Sequence, residues 1–551
     1  MLINPQPALL LFLRRHPFPF VLLCGLLIWG VINLFFPRSL PADAEERAFL
    51  LLDAGWYAEA EMAFEEALDA DPLDPTLNYF YISNHFSLYP VEQYPGVEFH
   101  AHVNSRYYDL VHTGDATMTD MGWYGRALVF SYREQYEDAL EQYLKVENRD
   151  LPYLNNSIGY VYNQLGSWEQ AEPYLWAEVN QTQGNAAGAV SNLQEAYLLR
   201  GDYDGLRRLR DEPAARIWMD PMVLRMLSLR DDRPDEYFRD LLITPLAYIN
   251  LQSVLAAMLI GVMWYVYFRR IDVFEKESFV WTALTVGMGG VTVLAAMTLG
   301  DVLYLLVPMR ETGEKLNDFL YYLVHVGLVE ESVKLLPLIV VLRWSKQVNE
   351  PVDVLIYASL SALGFATLEN MLYFSGYGIS LAFARFLVST VMHMALTALV
   401  CFGWINARWN GRAPLPGALL TFVMAVGLHA MFDFFLIRPE GIMVAILLVI
   451  IGLTVAYRQM LRAALTNSPY YCMLLRETAH RYTLELLLSA AVILLAAGFI
   501  ENHLLFSTHI ANQSMIGEVT GSLILMLVVF GLLSGVSPGI LRNREPASAG
   551  Q

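Results

Sequence analysis

Long apolar runs dominate the second half of this chain. The stretches 244–268, 280–307, 319–342, 352–374, 380–405, 416–437, 440–457, 484–500 and 516–535 approach or exceed the length at which a helix crosses a bilayer. A tenth, 18–36 (FPFVLLCGLLIWGVINLFF), stands near the start, so the pattern predicts a polytopic α-helical membrane bundle of about ten spans. Between 37 and 241 the pattern changes to apolar positions three or four apart, separated by acidic and polar residues, as on helices with one buried face.

That intervening stretch recurs. Residues 55–72, GWYAEAEMAFEEALDADP, place Gly55, Ala60, Phe64, Ala67 and Pro72 in a frame that returns at 123–146, at 155–175 and at Gly201–Leu206. Ala139, Ala171 and Leu206 hold the same small or apolar position at intervals close to 34 residues. The frame resembles tetratricopeptide repeats, which stack helix pairs into a curved surface that binds peptides or helices. Four units are legible. Residues 80–120 fit none of them and read as a degenerate copy or an insert. His85, His100 and His112 stand singly there, as surface or core histidines.

Charge sharpens the division. Residues 37–241 hold 36 Asp and Glu against 16 Lys and Arg, a net of −20 in a chain whose total is −19. An acidic soluble domain is thus joined to a nearly neutral membrane body, and nothing is basic enough for nucleic acid. Cys24, Cys401 and Cys472 all lie outside the soluble domain and give no disulfide framework. Arg14, Arg15 and His16 precede the first span. A basic start and apolar core also describe a cleaved signal peptide, but no small-residue cleavage site follows, so an uncleaved anchor is expected. Alternate loops carry Arg269, Arg270, Lys276, Arg343, Lys346, Arg408, Arg412, Arg458, Arg462, Arg476 and Arg481 on one side, against Arg310, Lys315 and Arg438 on the other. With Arg542 and Arg544 in the tail, this places both termini in the cytoplasm and 41–241 outside it.

The apolar runs are interrupted where ionisable residues are expensive. Glu330, Glu331 and Lys334 sit mid-span in 319–342, followed on later spans by Glu369 with Asn370, by His393 with Thr397, and by His429 with Asp433. Either glutamate can meet Lys334 across one turn, and consecutive residues point about 100° apart, so one glutamate can face a cavity while the other faces a helix. Ser332 is spaced to turn away from the lysine. By rise per residue, Glu331, His393 and His429 lie at a common depth of about 16–20 Å, with Glu369 shallower, toward the outer face. Gly364 allows a close helix approach. His325 reads as interfacial, and Arg385 as snorkelling or paired, with Glu369 as the partner in reach. One reading of the set is mutual pairing that only holds the bundle together. A second is water activation by a glutamate with imidazole help. A third is a zinc site with Glu331, Glu369, His393 and His429 as ligands, although no HExxH is present.

The motifs EESVK at 330–334, FATLEN at 365–370, HMALT at 393–397 and HAMFD at 429–433 resemble those of the PrsW-type intramembrane proteases. These belong to the glutamate-dependent membrane proteases that include the CAAX endopeptidases. The resemblance covers roughly 245–460. It implies catalytic roles for Glu330, Glu331, Glu369, His393 and His429, supported by Lys334, Asn370 and Asp433, with no metal favoured and zinc as the alternative. It also implies hydrolysis of a membrane-anchored protein substrate in regulated signalling, in the inner membrane of a bacterium. A non-enzymatic scaffold is the competing reading and a transporter a third.

The expected organisation follows. Residues 1–40 form a cytoplasmic N-terminus and anchor, 41–241 an extracytoplasmic repeat domain that binds a protein partner, and 242–460 the protease core in the lipid bilayer. Residues 461–483 form a cytoplasmic interfacial segment, and 484–551 two further spans and a tail.

Overall fold

The computed structural model describes residues 17–91, 93–436, 442–471 and 483–537. Arg14, Arg15, His16, Arg438, Cys472, Arg476, Arg481, Arg542 and Arg544 lie outside these. The described residues are helical with no strand, and they divide into two compact units, one comprising 39–240 and the other 1–38 with 241–551.

Among the described residues of the membrane unit nine helices are long and apolar enough to span: Pro17–Phe35, Leu251–Ile271, Phe279–Leu306, Pro351–Tyr377, Ile379–Trp409, Pro414–Leu436, Val444–Thr466, Thr483–Leu505 and Thr508–Ser534. The chain is a multi-pass membrane protein. Pro351–Tyr377 and Ile379–Trp409 are 89% and 83% buried over their apolar windows, and no other reaches half, so these two form the centre and the rest turn a face outward.

Glycine brings the central helix within backbone contact of its neighbour. A Cβ on Gly364 would lie 1.9 Å from the Val286 carbonyl oxygen, and one on Gly289 would lie 2.1 Å from that of Ser361. Without lipid-excluded apolar surface to gain, membrane helices associate by such close packing. The N-terminus of the central helix is fixed by Asp353, whose Oδ2 accepts the N–H groups of Asn349 and Glu350 at 2.9 and 2.8 Å.

The expected span 319–342 is not one regular helix. It comprises Lys315–Tyr321, a π turn Tyr322–Gly327, Leu328–Lys334 and Leu336–Trp344. Pro337 has no N–H to return to the Val333 carbonyl, and the break falls at Leu335; the neighbouring Lys334 carbonyl accepts the Ser361 hydroxyl at 2.6 Å. A continuous apolar window does not reveal such breaks. The helix from Ile442 continues to Thr466, into the segment 461–483. The first span packs against Thr483–Leu505. It also meets the last span, where Trp29 donates to Asn512 Oδ1 and Asn512 donates to Asn33 Oδ1, both at 2.7 Å.

In the soluble unit successive helices pack on one another in pairs. Left-handed residues close the first helix of the repeating pairs: Gly55, Glu134, Gly166, Gly201 and Asp232. The interval from Gly55 to Glu134 is occupied by Pro75–Leu88, a 3-10 turn Val97–His100 and Ala101–Val111. Part of the acidic excess caps helices. Asp43, Asp74, Asp115 and Asp202 each accept the N–H three residues on.

Candidate active site

Lys334, fully buried, is the hub of the polar cluster in the membrane unit. Its Nζ donates to Glu330 Oε2 and Glu331 Oε1, each at 3.0 Å, and to His393 Nδ1 at 2.7 Å. The three donors of the ammonium are thereby used, and it also lies 4.4 Å from the centre of the Phe365 ring. The π turn just before this helix lets Gly327 fit close to the Val426 carbonyl, where an added Cβ would come within 2.9 Å.

The paired glutamates take different roles in the packing. Glu331 is fully enclosed: Oε1 takes both Lys334 and His429 Nδ1, the latter at 3.0 Å, and Oε2 accepts the Thr397 hydroxyl at 3.1 Å. Glu330 is turned to a cavity of about 400 Å³ whose wall also holds Glu369, Arg385, His393, His429 and Asp433. Ser332 is bonded to the Leu328 carbonyl at 2.6 Å, turned from the lysine as its spacing requires.

Hydrogen bonding fixes the imidazoles. Because Nδ1 of His393 accepts from Lys334, its Nε2–H is the donor, and it meets Glu369 Oε2 at 3.0 Å. His429 gives Nδ1–H to Glu331, so Nε2 points toward Glu330 Oε2 at 3.6 Å and Asp433 Oδ2 at 3.4 Å. The shallower depth expected for Glu369 does not separate it from the cluster. Arg385 pairs with the same Glu369 oxygen at 2.8 Å and donates to Asn370 Oδ1. His325 is apart from the cavity, bonded to the Val307 carbonyl at 3.0 Å and stacked on Tyr321.

The donors that converge differ from the four-ligand alternative in two respects: Glu330 stands in place of Glu331, and Glu369 is taken up by Arg385 and His393 instead of joining the set. Glu330, His393 and His429 offer atoms within 4.8 Å of one another, whereas Glu331 is consumed by Lys334, His429 and Thr397. Phe365 and Thr397 become parts of the site through contacts between helices, which intrahelical spacing does not contain.

The soluble unit brings together what the sequence separates. His85 and His100 are not single: His85 bonds Glu61 and His100, and His102 approaches the same glutamate. The HAH triplet at 100–102 is the signal that was there to find. His112 packs on Tyr108. Elsewhere in this unit a concavity of about 370 Å³ is lined by Tyr79, Tyr132, Tyr160, Asn156, Asn185 and Asn192 among others, with Glu134 as the acidic residue among them.

Residues 275–457 match the model of the PrsW family of intramembrane metalloproteases. Protease PrsW of Bacillus subtilis (strain 168) is 33% identical over 111 residues, which are 20% of this chain and 51% of that protein. Protease PrsW of Geobacillus kaustophilus (strain HTA426) is 29% identical over 114 residues, 21% of this chain and 51% of the relative. That of Clostridioides difficile (strain 630) is 33% identical over 118 residues, 20% and 49% of the two chains. The chain spans about half the length of these curated relatives. The family match lies within the membrane unit and contains the whole Lys334 cluster, while 39–240 falls outside it.

Proposed function

We propose that this chain is a PrsW-type intramembrane endopeptidase that cleaves a membrane-anchored protein, with Glu330 as its general base. The observation that carries this is the asymmetry of the glutamate pair. Glu330 lines the polar cavity beside His393 and His429, while Glu331 is walled in behind it. A cavity in the membrane interior that gathers carboxylates and imidazoles around water-sized space is suited to hydrolysis, since a dry surround strengthens each electrostatic contact.

In this reading Glu330 takes a proton from the attacking water and later passes it to the leaving amine. Glu331 is a positioning residue: its bond to Nδ1–H holds His429 so that Nε2 faces the cavity. A proton held at Nε2, between Glu330 and Asp433, is placed to stabilise the oxyanion of the tetrahedral intermediate. Glu369, braced by Arg385, orients His393, and Lys334 offsets the charge of both glutamates. Burying two adjacent carboxylates without such a partner would cost several kcal/mol per ion, on the order estimated for desolvated charges.

The family description names a metal. The residues fit one once Lys334 withdraws from His393: Glu330, His393 and His429 then form a nitrogen and oxygen donor set of the kind zinc takes, and Asp433 Oδ2 beside them is, among the described residues, buried without a hydrogen-bond partner. Bound there, a divalent cation would acidify water and polarise the scissile carbonyl. Without it, Lys334 remains the resident cation.

Residues 39–240 are read as an extracytoplasmic tetratricopeptide-like module that selects the substrate, which makes proteolysis regulable. Support comes from the left-handed turns recurring 31–35 residues apart after Glu134. The tyrosine- and asparagine-lined concavity suits an extended peptide, whose backbone amides asparagine side chains can hold. The partner is therefore met by amide and aromatic groups, and the acidic excess lies mainly elsewhere.

The test is cleavage of a single-span peptide by the purified chain in liposomes. Glu330→Gln should remove activity while the protein remains folded in the membrane. Full activity in that variant sinks the proposed base. Protease accessibility of 39–240 in intact spheroplasts tests the placement, and protection there would reverse it.

A further inference from the structure

We propose that the soluble unit carries its own transition-metal site, of the zinc class, formed by Glu61, His85 and His102 and seated on His100. Glu61 lies on the helix Tyr57–Ala70, His85 on Pro75–Leu88 and His102 on Ala101–Val111. The three residues are distant in sequence, yet each offers one ligand atom within 4.8 Å of the others. Glu61 Oε1 is 2.8 Å from His85 Nδ1 and 3.4 Å from His102 Nε2. Those distances bracket the edge of about 3.3 Å expected for a tetrahedral shell with metal bonds of about 2.0–2.1 Å.

Hydrogen bonding identifies the vacant valence. His100 Nε2 is 3.0 Å from the Tyr94 carbonyl, which only accepts, so that nitrogen carries a hydrogen. In the neutral ring Nδ1 is then bare, and it takes Nε2–H from His85 at 3.0 Å. With the His85 ring neutral as well, its Nδ1 is a lone pair aimed at a carboxylate oxygen. Two lone pairs do not approach to 2.8 Å unless something positive lies between them. A metal ion meets that need and draws in His102, which converges on the same oxygen. Among the described residues, Glu61 Oε2 is also buried without a hydrogen-bond partner.

The surroundings have the build of a metal site. His85 is fully buried, and its outward N–H is held by a second imidazole that is itself anchored to backbone, the arrangement that orients ligating histidines. The His102 side chain is half exposed, which gives the ion a way in and leaves a fourth position for water or a donor from a partner protein. The site lies where the repeat frame breaks. It would pin the helix after the irregular connection 89–100 to the first helix pair, supplying by coordination the packing that the lost repeat does not.

The experiment uses the full-length chain in detergent, stripped with a strong chelator and then titrated with zinc alone, and in parallel with cobalt as a spectroscopic probe. The wild type should bind one equivalent more zinc than His102→Ala, and than Glu61→Gln. His393→Ala with His429→Ala should leave that equivalent in place, which separates it from any ion in the membrane cluster. His100→Ala should weaken it by about 10–100-fold, the usual effect of removing a supporting partner. Cobalt should give tetrahedral visible bands in the wild type that His102→Ala lacks. Zinc should slow proteolysis at the 89–100 connection in wild type and not in His102→Ala. Equal zinc uptake by wild type and His102→Ala, or loss of all bound zinc in the membrane-site variant, overturns the proposal. The positive charge between Glu61 and His85 is then a proton.

Discussion

Two clusters in this molecule use almost the same donors and differ in what balances them. In the membrane unit Glu330, His393 and His429 converge, and Lys334 stands among them with its ammonium bonded to both glutamates and one imidazole. In the soluble unit Glu61, His85 and His102 converge, and the contacts that link them come from carboxylate, imidazole and backbone carbonyl. A bilayer makes an unbalanced carboxylate so costly that the chain supplies its own cation on the same helix. A domain in water can leave that charge to be supplied from solution. A donor triad by itself therefore does not decide whether a site holds a metal; the cation already present does.

The largest effect that can break this contrast is on catalysis. Glu330→Gln should lower the rate of peptide cleavage by about 10²–10⁴-fold, the contribution typical of a positioned general base. Glu331→Gln should lower it less, through loss of the bond that orients His429. If Glu331→Gln is the variant that loses more, the assignments of the pair are exchanged.

The next largest is on stability. Lys334→Met removes the resident cation and leaves adjacent carboxylates, one of them fully buried, without it, a loss on the order of 3–5 kcal/mol for a broken buried pair. The variant should unfold at lower temperature in detergent, and adding Glu330→Gln and Glu331→Gln should restore much of the difference. Glu61→Gln in the soluble cluster, measured without metal, should cost far less. Equal losses at the two sites would remove the contrast.

What the sequence made legible follows the same line. Ionisable residues in apolar spans are conspicuous because the bilayer penalises them, so Glu330, Glu331, Lys334, Glu369, His393 and His429 could be named from their positions. The difference between Glu330 and Glu331 could not, since it depends on which neighbouring helix covers which face. In the soluble unit a histidine carries no such penalty, and His85 stands 15 residues from His100. Only the fold of the irregular 80–120 stretch brings them together. The break at Leu335 and the π turn before the glutamates were likewise hidden within a uniformly apolar run.

Glycine extends the comparison at smaller magnitude. Gly364 is needed because another backbone occupies the space of its side chain, with the Val286 carbonyl 1.9 Å from an added Cβ. Gly201 is needed because of its own backbone, at φ +63°, with open space around it. Gly364→Ala must push two helices apart and should cost about 1–3 kcal/mol, the range for overpacking. It should also reduce activity, because the same helix carries Glu369. Gly201→Ala should cost about 1 kcal/mol from left-handed strain alone and leave cleavage of a simple peptide unchanged.

An acid titration gives a measure confined to the soluble unit. Asp231 is held at about 2 by its hydrogen bonds to Arg207, joined by Arg210. Its folded value lies below the unfolded carboxylate value of about 3.9, so its stabilisation is complete above that and is lost as pH falls toward about 2. Asp231→Asn should therefore lower the melting temperature at neutral pH, by an amount equivalent to about 1.5–3 kcal/mol for bonds to charged groups. The difference from wild type should shrink on acidification. A difference that stays constant down to pH 2 would assign the effect to packing.

The smallest expected effect concerns a turn that uses the wrong residue for its conformation. Glu134 closes a helix at φ +59°, the place taken at corresponding turns by Gly55, Gly166 and Gly201. A side chain with a Cβ pays about 1–2 kcal/mol for the left-handed region, and glycine gives back part of that through the greater freedom of its unfolded chain. Glu134→Gly should thus stabilise the soluble unit by at most about 1 kcal/mol, read as a small rise in its melting temperature. Asp232, at φ +54°, is a weaker case, because aspartate tolerates this region better than glutamate. The residue that carries this strain is also the acidic residue lining the tyrosine and asparagine concavity. If that concavity holds the substrate, Glu134→Gly should raise stability while weakening cleavage of the native substrate and sparing a generic transmembrane peptide. A stabilised variant with unchanged selectivity would place substrate choice elsewhere on the unit.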